Sequence, residues 1–205
     1  MACKSTERCQ VRYGVRNCYS IQADCLITSA TFSTFDGASG GPVPLGAFVV
    51  ISICNYCRSW FRVVADVQKC APNDQAVTRI HIMSPNGLIT ISKDKEAWLN
   101  GVPIPLSLNV SNSISVIVSS TSTSVVVQIG QYVTIVLNTN GEVKVTVRDG
   151  ISEELCGACG KFNGVLADDF QTPDGTSVTG IQQLIESWTA KDITSCGPIN
   201  TQNPV

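Results

Sequence analysis

Cys156-Gly157-Ala158-Cys159 sets two thiols at the spacing of a dithiol redox pair, and Gly160-Lys161-Phe162-Asn163-Gly164 follows and leads to Asp168-Asp169. Two chemistries are open here. A Cys-x-x-Cys pair at a helix N-terminus has a lowered thiol pKa and exchanges disulfides. Tied to distant cysteines, the same pair is a structural staple. Asn163, Asp168 and Asp169 place three oxygen-bearing side chains within seven residues. Hard cations such as calcium take about six to eight oxygens, so the loop either gains ligands from elsewhere in the chain or is an acidic surface turn.

Other combinations are weaker. Cys54-x2-Cys57 and Cys156-x2-Cys159 imitate a four-cysteine zinc site, but 98 residues separate the pairs, against roughly 15–20 in a zinc ribbon. Gly37-Ala38-Ser39-Gly40-Gly41-Pro42 is like the surroundings of a trypsin-type nucleophile, yet the single histidine, His81, follows Ser39 by 42 positions. In those proteases the histidine and aspartate precede the serine. No Gly-x-Ser-x-Gly elbow occurs, and one imidazole excludes sites that need two. No catalytic residue is assigned.

Ten cysteines, at 3, 9, 18, 25, 54, 57, 70, 156, 159 and 196, are spread along 205 residues. An even, scattered set without a histidine-rich cluster predicts a disulfide framework and an oxidising compartment, secreted or cell-surface. The chain is 43% hydrophobic and 15% charged, against about a quarter charged in ordinary soluble proteins, which excludes a disordered chain. Fourteen basic and sixteen acidic residues give a net charge of −2, leaving no footprint for nucleic acid or an anionic membrane. No apolar run approaches the ~20 residues of a membrane span. Met1-Ala2-Cys3-Lys4 carries no apolar leader, so a piece of a longer secreted precursor is expected.

The elements that must position these residues are strands. Val77–Ile82, Leu88–Ile91, Ile114–Val118, Ser124–Ile129, Val133–Leu137 and Val143–Val147 are short β-branched runs separated by turn residues. Asn100-Gly101 separates Ala97-Trp98-Leu99 from Val102-Pro103-Ile104, and Asn140-Gly141 separates Val133–Leu137 from Val143–Val147, a hairpin signal in which both central residues take positive φ. Alternation, as in Ser113-Ile114-Ser115-Val116, buries one face and wets the other. Near the end, Ile181, Leu184, Ile185 and Trp188 make a helical stripe, and Thr179 and Gln182 have capping-box spacing. The expected fold is all-β, mostly antiparallel, with two packed sheets, disulfide staples, a short C-terminal helix and a cation-binding loop. Trp60, Trp98 and Trp188 are expected as packing residues, and Asn109-Val110-Ser111 is a glycosylation sequon between strands.

Thr34-Phe35-Asp36-Gly37, combined with Cys156-Gly-Ala-Cys159-Gly-Lys-Phe-Asn-Gly164 and Asp168-Asp169-Phe170, resembles the von Willebrand factor type D domain of secreted mucins, tectorins and related extracellular proteins. Cys3-x5-Cys9-x8-Cys18 looks like the end of the trypsin-inhibitor-like module that precedes such domains. The resemblance implies an inhibitor-like remnant over 1–22 and a type D domain over 23–198; beyond Gly197-Pro198 a flexible tail over 199–205 is expected. It also implies a non-enzymatic module for association or assembly in mucus, egg coat or matrix, with extracellular glycoproteins or a second copy as partner. Thiol–disulfide exchange at Cys156 and Cys159, assisting intermolecular disulfide assembly, is the alternative.

By the same resemblance Asp36 joins Asn163, Asp168 and Asp169 in a calcium site. Lys161 stands where the family has an asparagine; its ammonium either swings outward and leaves a weaker site or fills the pocket in place of calcium. The family's self-cleaving Gly-Asp-Pro-His is Thr28-Ser29-Ala30-Thr31 here, so no autoproteolysis is expected. The implied disulfides are Cys25–Cys159 and Cys57–Cys156. Phe48 stands at a family cysteine, Cys54 is extra and is assigned to Cys196, Cys9 is assigned to Cys18, and Cys3 and Cys70 have no assigned partner.

Overall fold

The computed structural model describes residues 3–4, 7–12, 14–54, 60–69, 75–111, 114–151 and 154–193. Cys57, Cys70, Cys196 and the expected tail lie outside them. The chain opens with a hairpin, β1 (Glu7–Arg12) and β2 (Val15–Ser20), which forms a two-stranded sheet of its own. β3 (Gln22–Ile27), β4 (Phe32–Ser33) and β5 (Ser39–Gly40) follow. Then come β6 (Gly46–Ile53), β7 (Arg62–Lys69), β8 (Gln75–Ser84), β9 (Gly87–Ser92), β10 (Ala97–Leu99) and β11 (Val102–Ile104). The last group is β12 (Leu108–Ser111), β13 (Ser115–Ser120), β14 (Ser124–Ile129), β15 (Val133–Asn138), β16 (Val143–Arg148) and β17 (Leu155–Cys156), before helix α1 (Ile181–Ser187).

Among the described residues, one sheet has the order β11-β10-β9-β8-β7-β6-β17 and the other β12-β13-β14-β15-β16-β3-β4-β5. All pairings are antiparallel. Alternation explains the layering. In β16, Val143, Val145 and Val147 are buried while Lys144 and Arg148 are exposed; in β14, Val125, Val127 and Ile129 point into the core. They share one apolar cluster with Val63, Ala65, Ile80 and Ile82 of the other sheet, so the core lies between the two sheets. No helix among the described residues is long and apolar enough to cross a membrane.

The Asn100-Gly101 turn has positive φ at both residues, 51° and 81°. At Asn140-Gly141 only the glycine does, at 82°; Asn138 N–H bonds the Glu142 carbonyl at 2.9 Å and Gly141 N–H bonds the Asn138 carbonyl at 2.9 Å. The loop is therefore longer than a two-residue turn. The capping-box expectation at Thr179 is corrected. Gly180 is the N-cap and no side chain caps α1, because Thr179 Oγ1 is 3.5 Å from Gln183 Oε1 instead.

Two long-range disulfides staple the body. Cys25 on β3 joins Cys159, 134 positions on, at a Cα distance of 5.7 Å. Cys54 joins Cys156 at 5.9 Å, which corrects both the Cys57–Cys156 and the Cys54–Cys196 assignments. The reason is register. β17 pairs with the end of β6 as Leu155↔Ile53 and Cys156↔Ser52, and Cys54 N–H bonds the Glu154 carbonyl at 3.0 Å. That pairing places Cys54 diagonally across from Cys156.

The Cys9–Cys18 assignment is also corrected. Cys9 stands directly opposite Cys18 in the hairpin, but Cys18 bonds Cys3, at a Cα distance of 5.4 Å. Lys4, beside Cys3, is tied to the start of β1 by its carbonyl, which accepts Glu7 N–H at 3.0 Å. Cys9 is a free, exposed thiol and accepts from Arg16 Nε at 3.2 Å.

Candidate functional site

The site is built where the two distant motifs meet. Ala158 N–H and Cys159 N–H bond the Val49 and Val50 carbonyls at 2.9 and 3.0 Å, so the Cys-Gly-Ala-Cys segment lies along β6. Gly157, with φ of 126°, lets it approach: a Cβ there would stand 2.5 Å from the Val50 carbonyl oxygen. From the other side, Phe35 N–H bonds the Cys159 carbonyl at 3.0 Å. The Thr34–Ala38 turn closes on itself, with Ala38 N–H bonding Thr34 Oγ1 at 3.0 Å.

This docking brings all four sequence-derived ligand candidates together. One carboxylate oxygen from each of Asp36, Asp168 and Asp169 lies within 4.8 Å of the others. Asp36 Oδ2 accepts three consecutive backbone N–H groups, from Asn163 at 3.1 Å, Gly164 at 2.8 Å and Val165 at 3.0 Å. Asn163 is buried, donates Nδ2 to Asp168 Oδ2 at 2.8 Å, and receives Val165 N–H on Oδ1 at 2.9 Å. The other oxygen of Asp168, Oδ1, is buried and has no hydrogen-bond partner.

Asp169 is fully buried. Its Oδ1 accepts Lys161 N–H at 3.0 Å, and its Oδ2 accepts the Thr34 hydroxyl and Asp36 N–H, the latter at 3.2 Å. Burial pushes its pKa up to about 7, and the Asp36 charge adds to the rise, against the lowering effect of those hydrogen bonds. Gly160, with φ of 76°, makes room: a Cβ there would meet Asp169 Oδ1 at 2.0 Å.

Lys161 contributes its backbone to the cluster and directs its side chain elsewhere. Its ammonium donates to Gln171 Oε1 at 3.2 Å, and among the described residues no carboxylate is within 4.0 Å of it. A cavity of about 250 Å³ beside the cluster is lined by Cys54, Cys156, Lys161, Asp168, Gln171 and Trp188. Trp188 is fixed there by its indole N–H on the Gln171 carbonyl at 3.0 Å.

The donor set suits a hard cation. Oxygens held by one calcium at about 2.3–2.6 Å stand no more than about 5 Å apart, which the three carboxylates satisfy. A cation would satisfy the orphaned Asp168 oxygen and favour the charged form of Asp169, which burial disfavours. Sequence reasoning missed two members: the Thr34 hydroxyl, and Gln171 as the partner of Lys161. No local pattern signals either.

The other candidates stay apart. Ser39 is on β5, opposite Ser33, while His81 is on β8 with Nδ1 3.0 Å from Thr90 Oγ1. Asn109 is exposed, but on β12 itself rather than between strands. Cys156 and Cys159 hold different distant partners, so neither is a thiol.

A family model for the von Willebrand factor type D domain matches residues 25–176. The chain is 31% identical over 198 residues to human IgGFc-binding protein, covering 95% of this chain and 4% of that protein. It is 32% identical over 191 residues to alpha-tectorin of Gallus gallus (91% and 9%) and 25% identical over 200 residues to zonadhesin of Oryctolagus cuniculus (94% and 9%). The chain thus spans less than a tenth of the length of these relatives.

Proposed function

The chain belongs to the von Willebrand factor type D domain family, and we propose from that premise that it is a non-enzymatic, extracellular structural module. It presents a rigid β-surface for association with extracellular glycoproteins or with a second copy, in mucus, egg coat or matrix. The observation that carries this reading is the split pairing of the Cys-Gly-Ala-Cys motif, Cys156 to Cys54 and Cys159 to Cys25. Both sulfurs are spent on bracing, and long-range disulfides belong to oxidising compartments.

Asp36, Asn163, Asp168 and Asp169 would hold calcium, with Lys161 turned outward and its place in the family's ligand set lost. Bound there, the ion would neutralise three converging carboxylates and lock the Thr34–Asp36 turn to the Lys161–Asp169 loop. The support is the 4.8 Å clustering and the unpartnered Asp168 oxygen.

The test is co-sedimentation of the secreted chain with an extracellular glycoprotein fraction, with calcium and after chelation, beside an insulin-reduction assay. Calcium-dependent co-sedimentation without reductase activity is expected. Catalytic reduction of insulin would overturn the structural reading in favour of thiol–disulfide exchange.

A further inference from the structure

Sheet edges expose unpaired N–H and C=O groups and invite pairing with another chain, so proteins blunt them with short strands, proline or charge. Among the described residues, the two large sheets end on β11, β17, β5 and β12. β11 is three residues long with Pro103 at its centre; β17 is two residues; β5 is two residues and is followed by Gly41-Pro42. β12 differs. Its four residues, Leu108-Asn109-Val110-Ser111, contain neither proline nor charge, and it borders the β-branched run Val116-Ile117-Val118 on β13.

Among the polar residues Ser115, Ser119 and Gln128, the outer face at this edge also carries two apolar ones, Ile117 and Val126. Ile117 is 37% exposed and lies directly opposite Asn109, so the two Cβ atoms are about 4.5–5.5 Å apart. Val126, half-buried on β14, sits on the diagonal beyond Ile117. The edge without built-in protection is therefore the one that carries the sequon. Asn109 and Ser111 are both exposed, and no hydrogen bond among the described residues engages the Asn109 side chain.

We propose that Asn109 carries an N-linked glycan whose first sugars lie over Ile117 and screen the open edge of β12. A bulky, hydrated glycan does there what proline and shortness do at the other three edges. In the modification, Asn109 Nδ2 attacks the anomeric carbon of a lipid-diphosphate-linked oligosaccharide. A C–N bond forms, the C–O bond to the lipid diphosphate breaks, and the nitrogen loses one proton, with no redox change. This proposal rests on the extracellular reading.

The chain is produced through a eukaryotic secretory pathway, and the folded product is treated with peptide N-glycosidase in ¹⁸O-water. Expected is an ¹⁸O-labelled aspartate at position 109, and at least a tenfold higher self-association constant by sedimentation for Asn109→Gln, which carries neither glycan nor charge there, than for the glycosylated chain. Asn109→Lys and the enzymatically deglycosylated chain, whose new aspartate is charged, both put a charge on the same edge and should stay monomeric. Secreted, disulfide-bonded protein with Asn109 unmodified overturns the proposal and leaves the extracellular reading intact. A modified chain whose Asn109→Gln variant associates no more than the glycosylated protein overturns the screening role. Retention with reduced cysteines overturns the extracellular reading, and this proposal with it.

Discussion

Asp36 Oδ2 accepts the backbone N–H of Gly164 at 2.8 Å across 128 positions of sequence. With the flanking N–H groups of Asn163 and Val165, this single oxygen shapes the loop that carries two of the other acidic residues. Asp36 is thus an organiser of the site as well as a candidate ligand.

Removing that oxygen should undo the loop. Asp36→Ala leaves three donors without their acceptor and should cost about 2–4 kcal/mol in urea unfolding, since bonds to a charged acceptor are the stronger kind. Asp36→Asn keeps an acceptor oxygen and should lose about half as much. Equal losses would mean that the charge, rather than the geometry, is what matters.

Gly160 and Gly37 separate crowding from backbone strain. Both have positive φ, but a Cβ at Gly37 meets nothing within 4 Å. Gly37→Ala should therefore cost about 1 kcal/mol. Gly160→Ala drives a methyl group into Asp169 and should cost at least twice that while abolishing any calcium-induced rise in Tm.

Asp169 makes stability fall as pH rises when no cation is present. Its folded pKa of about 7 stands above the ordinary 3.8, so between about pH 4 and 7 the folded state binds more protons than the unfolded one. Stability should therefore decline across that window, by at most about 4 kcal/mol. Urea midpoints in metal-free buffer at pH 4.5 and 7.5 would show the decline, and Asp169→Asn should flatten it.

Linked peptides from unreduced digests should show Cys25–Cys159 and Cys54–Cys156, with Cys9 alkylated in the native protein. A Cys57–Cys156 peptide would refute the register argument. The loops closed span 134 and 102 positions, so replacing either pair by alanine should cost about 3–5 kcal/mol.

Lys161→Asn returns an oxygen to the position where the family has one. It should raise calcium affinity, read as a larger Tm increase on adding calcium, while the metal-free Tm changes little. An unchanged calcium response would remove position 161 from the ligand set.

What could be read in the sequence follows the range of the interactions. The strands and the Asn100-Gly101 turn were legible because alternation and turn chemistry are local. Asn163, Asp168 and Asp169 could be grouped by local spacing, but Asp36 joined them only through family resemblance, since nothing local ties position 36 to 163. The choice between Cys54 and Cys57 depended on how β17 registers against β6, which no spacing encodes. Thr34 belongs to the Thr-Phe-Asp-Gly motif, but its hydroxyl serves a carboxylate 135 positions away, beyond any periodic signal.

The pairing of β3 with β16 also sets a timetable. Ile27 cannot meet Val143 until the 116 residues from Thr28 through Val143 have been made, about 6–23 s at ordinary rates of synthesis. During that interval β3 has an unmatched ladder and Cys25 an unmatched sulfur. Early oxidation would join Cys25 to a neighbour such as Cys18 rather than to Cys159. The chain therefore needs isomerisation, or a holding chaperone, until the Cys-Gly-Ala-Cys segment arrives. Efficient production should depend more on the supply of those helpers than on the final stability of the fold.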